Sequence, residues 1–95
     1  MPTYVVLTTL TDDGRKTLRD NPARIREVNA EMKAMGVTVK DQYALFGQYD
    51  FINILEAPDD AVLTRMLLQM ASRGTVSTIT LPATPTEEFI ARLEG

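Results

Sequence analysis

An α+β fold is predicted for this chain, with elements in the order β-α-β-β-α-β and a further helix at the C-terminus. Three observations predict it. Apolar, β-branched runs of strand length recur along the chain. Two longer stretches carry apolar residues at helical spacing. Gly or Pro stands at most junctions between them. At 95 residues the chain makes one domain.

Thr3 to Leu10 is rich in β-branched and aromatic residues and reads as the first strand, broken by Thr11-Asp12-Asp13-Gly14. A short helical turn at Arg15 to Arg19 is expected next. Asn21-Pro22 reads as a helix start, because Asn can cap free N–H groups and Pro suits the first helical position. Ile25, Val28, Met32 and Met35 then form one apolar stripe, and Gly36 ends the helix. Val37 to Phe46 is the second strand, with Val37, Val39, Tyr43 and Leu45 expected on one face. Gly47 to Tyr49 reverse the chain into Phe51 to Glu56, so these two strands pair as an antiparallel hairpin. Pro58-Asp59-Asp60 opens a second long helix, where the dipole favours acidic residues, and Gly74 stops it. Thr75 to Leu81 is the fourth strand, and Pro82 and Pro85 punctuate the connection to a last helix at Thr86 to Leu93. Thr86 is expected to cap that helix.

This order is a split βαβ unit used twice, the ferredoxin-like pattern, with a four-stranded antiparallel sheet and both long helices on one face. Side chains alternate along a strand. Ile52 and Ile54 therefore oppose Phe51, Asn53 and Leu55, and Val5 and Leu7 oppose Tyr4, Val6 and Leu10. Both faces are apolar, and the helices cover one. A second copy laid sheet to sheet would cover the other and give a dimeric α+β barrel, so a homodimer or higher oligomer is expected. The competing expectation is that the C-terminal helix folds back over the patch.

Composition excludes several chemistries. Ten basic residues against thirteen acidic ones give a net charge of -3, without the clustered positive surface that nucleic acid binding rests on. The chain has no cysteine and no histidine, which removes disulfides, thiol nucleophiles, thiolate metal sites and any Ser-His or Cys-His mechanism. No metal and no cofactor are expected. The N-terminus carries no secretory pattern, and no apolar stretch approaches the roughly 20 residues that cross a bilayer. A cytoplasmic protein without membrane or nucleic acid partners is expected.

The stretch from Phe46 to Asp60, FGQYDFINILEAPDD, resembles the GYD domain family, named for its glycine, tyrosine and aspartate. MPTYVVL at the start, Asn21-Pro22-Ala23-Arg24, and SRGTVSTITL from Ser72 to Leu81 extend the resemblance over nearly the whole chain. It implies the dimeric α+β barrel and supplies no reaction. A weaker pattern, Gly47, Asp50, Gly74-Thr75-Val76 and Thr78-x-Thr80, is similar to the effector-binding domain of leucine-responsive transcription regulators. That likeness implies a stand-alone small-molecule sensor or an accessory module, not a DNA binder, since the chain lacks their helix-turn-helix.

The candidate ligand-binding residues follow. Gly47 is read as structural, because the turn needs a positive φ. Asp50 is either a turn carboxylate accepting backbone N–H bonds or an anion that pairs with a ligand amine or acts as a base. Tyr49 either orients a ligand or packs at a rim. Asn53, Thr78 and Thr80 place polar groups in apolar strands, where burial demands hydrogen bonds, and could line a pocket between subunits. Arg24 opposes the dipole of its helix unless a carboxylate or anionic ligand pairs with it. Tyr43 is a further possible acid–base group. The leading expectation is a non-enzymatic, oligomeric small-molecule-binding or regulatory module. The alternative is a cofactor-independent isomerase or monooxygenase, by analogy of fold.

Overall fold

The computed structural model describes residues 1–95. Its elements are β1 (Thr3–Leu10), α1 (Asp12–Asp20), α2 (Arg24–Ala34), β2 (Thr38–Ala44), β3 (Phe51–Glu56), α3 (Asp60–Ala71), β4 (Val76–Ala83) and α4 (Thr86–Glu94). The strands form one sheet in the order β2-β3-β1-β4, with every neighbouring pair antiparallel. This is the ferredoxin-like arrangement expected from the sequence.

The buried core lies between the sheet and the helices and consists of Tyr4, Val6, Met32, Val37, Leu55, Ala57, Leu63, Met66 and Met70. Tyr4, Val6 and Leu55 come from the helix-facing rows of the two central strands. Across them, Tyr4 pairs with Leu55, and Val6 with Asn53. At the α3 end, Asp59 caps the helix by accepting from the Val62 N–H at 2.9 Å. The next residue, Asp60, accepts a 2.5 Å hydrogen bond from the Tyr4 hydroxyl. That bond, with burial and the nearby carboxylates of Asp60 and Asp59, pushes the Tyr4 phenol up to about 12.

Several details depart from the sequence reading. Residues 12–20 form a two-turn helix, longer than the turn expected at Arg15 to Arg19. Thr11 caps it, its hydroxyl accepting from the Gly14 N–H at 3.2 Å. Gly14 is therefore inside α1 and does not break the chain. It is buried where α1 meets β4, and a Cβ built there would stand 2.1 Å from the Thr75 carbonyl oxygen. Asn21 does not cap α2. It ends α1, and Ala23 stands at the α2 N-cap without a side-chain bond.

A register shift between Val39 and Asp41 adds a residue to β2. Val39, opposite Leu55, faces the helices, whereas Tyr43, opposite Ile52, faces away. The expected shared face of Val39 and Tyr43 is thus split by the bulge. Pro82 lies within β4 and not after it, which is tolerated because β4 is an edge strand and needs no donor on its outer side. Thr86 does not cap α4, whose N-cap is Pro85.

The C-terminal helix does not fold over the sheet. No residue of α4 is buried, and it makes no substantial contact with another element. The radius of gyration is 14.3 Å, against about 12 Å for a compact domain of this length.

This packing generates two predictions. Gly14→Ala forces α1 away from the Thr75 carbonyl and lowers stability by about 1–3 kcal/mol in urea unfolding. The Tyr4 phenol is raised above its ordinary value of 10.0, so its contribution to stability is complete below pH 10 and is lost as pH rises toward about 12. The stability gap between wild type and Tyr4→Phe is therefore constant at neutral pH and narrows across that window. A gap that stays constant across it would show that the Tyr4–Asp60 bond contributes nothing.

Candidate functional site

Asn53 is the buried polar side chain of the core region, 7% exposed on the helix-facing side of β3. Burial requires it to be bonded, and it is. Its Nδ2 donates to the Val6 carbonyl at 2.9 Å and the Thr8 hydroxyl at 3.0 Å. Its Oδ1 accepts from Gln42 Nε2 at 2.8 Å. Gln42 and Asn29 exchange two further bonds, at 2.9 and 3.2 Å. An amide chain thus runs from β1 through β3 and β2 to α2.

Beside this chain the two layers fail to close. A cavity of about 170 Å³ lies between α1, α2, α3 and the sheet, toward the hairpin end of the strands. Its apolar wall includes Leu10, Leu18, Ile25, Phe51, Leu67 and Val76, all half-buried. The cavity is not sealed: it opens to solvent on one side, where Arg24 and Arg73 stand.

Arg24 and Arg73 also line the cavity, with side chains 29% and 32% exposed. Glu31 bridges them, 3.2 Å from Arg24 and 2.5 Å from Arg73. The Arg73 bond, followed by the charges of both guanidinium groups, holds the Glu31 carboxyl below the usual range. Arg24 also bonds Glu27, and this bond above all raises its own pKa. The carboxylate partner that a first-turn arginine demands is thus supplied within α2.

Of the seven candidate residues, the structure gathers Arg24, Asn53 and Thr78 around the cavity. Thr80 faces the same side of the sheet opposite Val6 but does not reach it. Tyr43 stands on the opposite face, 62% exposed. Tyr49 is half-buried in the hairpin, away from the cavity lining. Sequence reasoning missed Asn29, Gln42 and Arg73. Asn29 had a signal, since it falls four residues after Ile25 and three before Met32, on the apolar stripe.

Asp50 sits at the hairpin base. Its N–H donates to the Thr8 carbonyl at 2.8 Å, its carbonyl accepts from the Leu45 N–H at 2.8 Å, and its Oδ2 accepts from the Leu10 N–H at 2.7 Å. The carboxylate carries the β1–β3 pairing past the last paired residues, Thr8 and Phe51. Gly47, at φ +140°, makes the reversal that allows this.

The other face of the sheet is uncovered. Val5, Leu7, Ile52 and Ile54 occupy its centre, and Ile79 and Leu81 extend it along β4, 47% and 49% exposed. Phe46 projects fully into solvent at the hairpin tip.

The sequence profile of the GYD domain matches residues 4–93. The chain belongs to the GYD domain family. This GYD domain is 55% identical over 95 residues to the glutamine synthetase and cystathionine beta-lyase binding protein of Thermus thermophilus, covering 99% of this chain and 100% of that protein. The crystal structure of TTHA0845, also from Thermus thermophilus, shares its fold, with a TM-score of 0.59 and 22% identity over 90% of this chain and 95% of that one. No helix of the GYD domain is long and apolar enough to cross a membrane.

Within the GYD hairpin the bonds of Asp50 join β1 to the turn. Asp50→Ala leaves the Leu10 N–H without its charged acceptor and costs about 1.5–3 kcal/mol in chemical denaturation, while Asp50→Asn retains part of that loss.

Proposed function

We propose that this GYD domain is a non-enzymatic, cytoplasmic binding module that works as a homo-oligomer and docks on metabolic enzymes. The observation that carries this reading is the 55% identical, full-length relative named for binding glutamine synthetase and cystathionine beta-lyase. Enzymes of these two kinds are the proposed partners.

The surface supports the same reading. The open sheet face is apolar and suits a second copy of itself, since a two-fold contact places identical patches against each other. Sheets packed this way stand about 10 Å apart with their side chains interdigitated. Phe89, Ile90 and Leu93 fall on one side of α4 and are all exposed. An amphipathic helix with anchors at this spacing fits an apolar groove on another protein. The acid–base groups required by the isomerase or monooxygenase alternative are dispersed. Tyr43 is on the open face, Tyr49 is in the hairpin, and the Asp50 carboxylate is engaged with the Leu10 N–H.

Light scattering and binding to immobilised glutamine synthetase and cystathionine beta-lyase test both halves of the proposal. Wild type is expected to run as a dimer or larger and to bind at least one of the enzymes. Ile54→Lys, on the sheet face, should give a folded monomer. Leu93→Asp, on α4, should leave the oligomer intact and weaken enzyme binding about tenfold or more, as loss of an interface anchor does. Absence of binding to either enzyme would overturn the adaptor role, and a wild-type monomer at micromolar concentration would overturn the self-association.

A further inference from the structure

The cavity beneath the helices is separate from the sheet face and from α4, and its chemistry specifies a ligand on its own terms. Its volume, about 170 Å³, is close to that of the roughly 150 Å³ engineered cavity that takes up benzene. The wall amides are already occupied. Asn53, Gln42 and Asn29 bond one another and the β1 backbone, and no buried side-chain polar atom is left without a partner. The body of a guest would therefore meet apolar surface and need bring no hydrogen-bonding groups of its own.

The exception is at the solvent-facing side. Arg24 meets both of its carboxylate partners through Nη1, so Nε and Nη2 remain as donors. The planar guanidinium presents these two nitrogens in the spacing of a carboxylate. A short apolar tail in the cavity and an anionic head on Arg24 satisfy both halves of the site.

We propose that this cavity is a binding site for small monocarboxylic acids whose apolar group is about the size of a benzene ring, with Arg24 holding the carboxylate. Binding fills the void left between the layers, so the ligand stabilises the fold as well as occupying it. The site lies within one chain and is independent of docking by the sheet face.

Phenylacetate is a suitable probe, and the methionines report on it. Met32, Met66 and Met70 line the cavity, whereas Met1 and Met35 do not. In protein labelled with ¹³C at the methionine methyls, phenylacetate is expected to give saturable shifts at Met32, Met66 and Met70. Met1 and Met35 should stay still. Arg24→Gln should weaken phenylacetate about tenfold, the loss of one charge-assisted pair, and leave toluene binding unchanged. Thr78→Leu, which adds bulk to the wall, should abolish binding of both probes, and its own methyl spectrum shows whether it is folded. No saturable shift at the three cavity methionines, or equal shifts at all five, would overturn the site. Unchanged phenylacetate affinity in Arg24→Gln would overturn the carboxylate assignment.

Discussion

Side chains on a strand alternate between two faces, and this chain supplies helices for only one of them. Every larger feature of the molecule depends on that imbalance. The helix-facing rows of β1 and β3 hold Tyr4, Val6 and Leu55 in the core, while Val5, Leu7, Ile52 and Ile54, one residue away in each case, form the uncovered face. A one-residue slip in either strand would exchange the two sets, so register decides which residues fold the domain and which are left uncovered. The carboxylate of Asp50 and the turn at Gly47 fix that register at the hairpin end, and the Tyr4–Asp60 bond ties β1 to the first turn of α3.

Within the covered face the packing is uneven. The core cluster is anchored by Val37, Leu55, Ala57, Leu63 and Met66. At the hairpin end the same layers are separated by polar side chains, Asn29 and Gln42 meeting Asn53 across the gap. These amide-to-amide bonds tie α2 to β2 and β3. The cavity and this satisfied polar network lie side by side, with Asn29, Gln42 and Asn53 in its wall. The same buried network favours one arrangement of α2 over β2, because a shifted helix would leave several amides unpaired at about 1–3 kcal/mol each.

Much of this is legible from residue types. β1 and β3 have the bounds that their β-branched runs indicate, the alternation of Phe51 to Leu55 gives both faces of β3, and Gly47 takes the positive φ its turn needs. What escapes depends on contacts between distant segments. Gly14 has the composition of a breaker, yet it is required inside α1 because the Thr75 carbonyl, some sixty residues on, leaves no room for a Cβ. The bulge at Val39 to Asp41 carries no marker residue, so alternation alone puts Tyr43 on the wrong face. The site is legible only in pieces. Arg24, Asn53 and Thr78 stand out singly as polar groups in unfavourable positions, but their convergence on one cavity is a property of the assembled layers, and Tyr43 and Tyr49 stand apart from it.

The thin core and the uncovered sheet face are two aspects of one arrangement. Eleven of the 95 residues are buried, so a single copy gains little from apolar burial relative to a larger domain. On the proposed function, a second copy on the sheet face would bind the folded state alone and add stability in proportion to the logarithm of its concentration over its dissociation constant. The proposed assembly thereby couples the folded population to the partner. In the proposed oligomer, substitutions on the open face would reduce stability through lost assembly even where they improve the solubility of the isolated chain, whereas substitutions at Leu55 or Met66 act on the chain itself, and the dependence of unfolding on protein concentration separates the two.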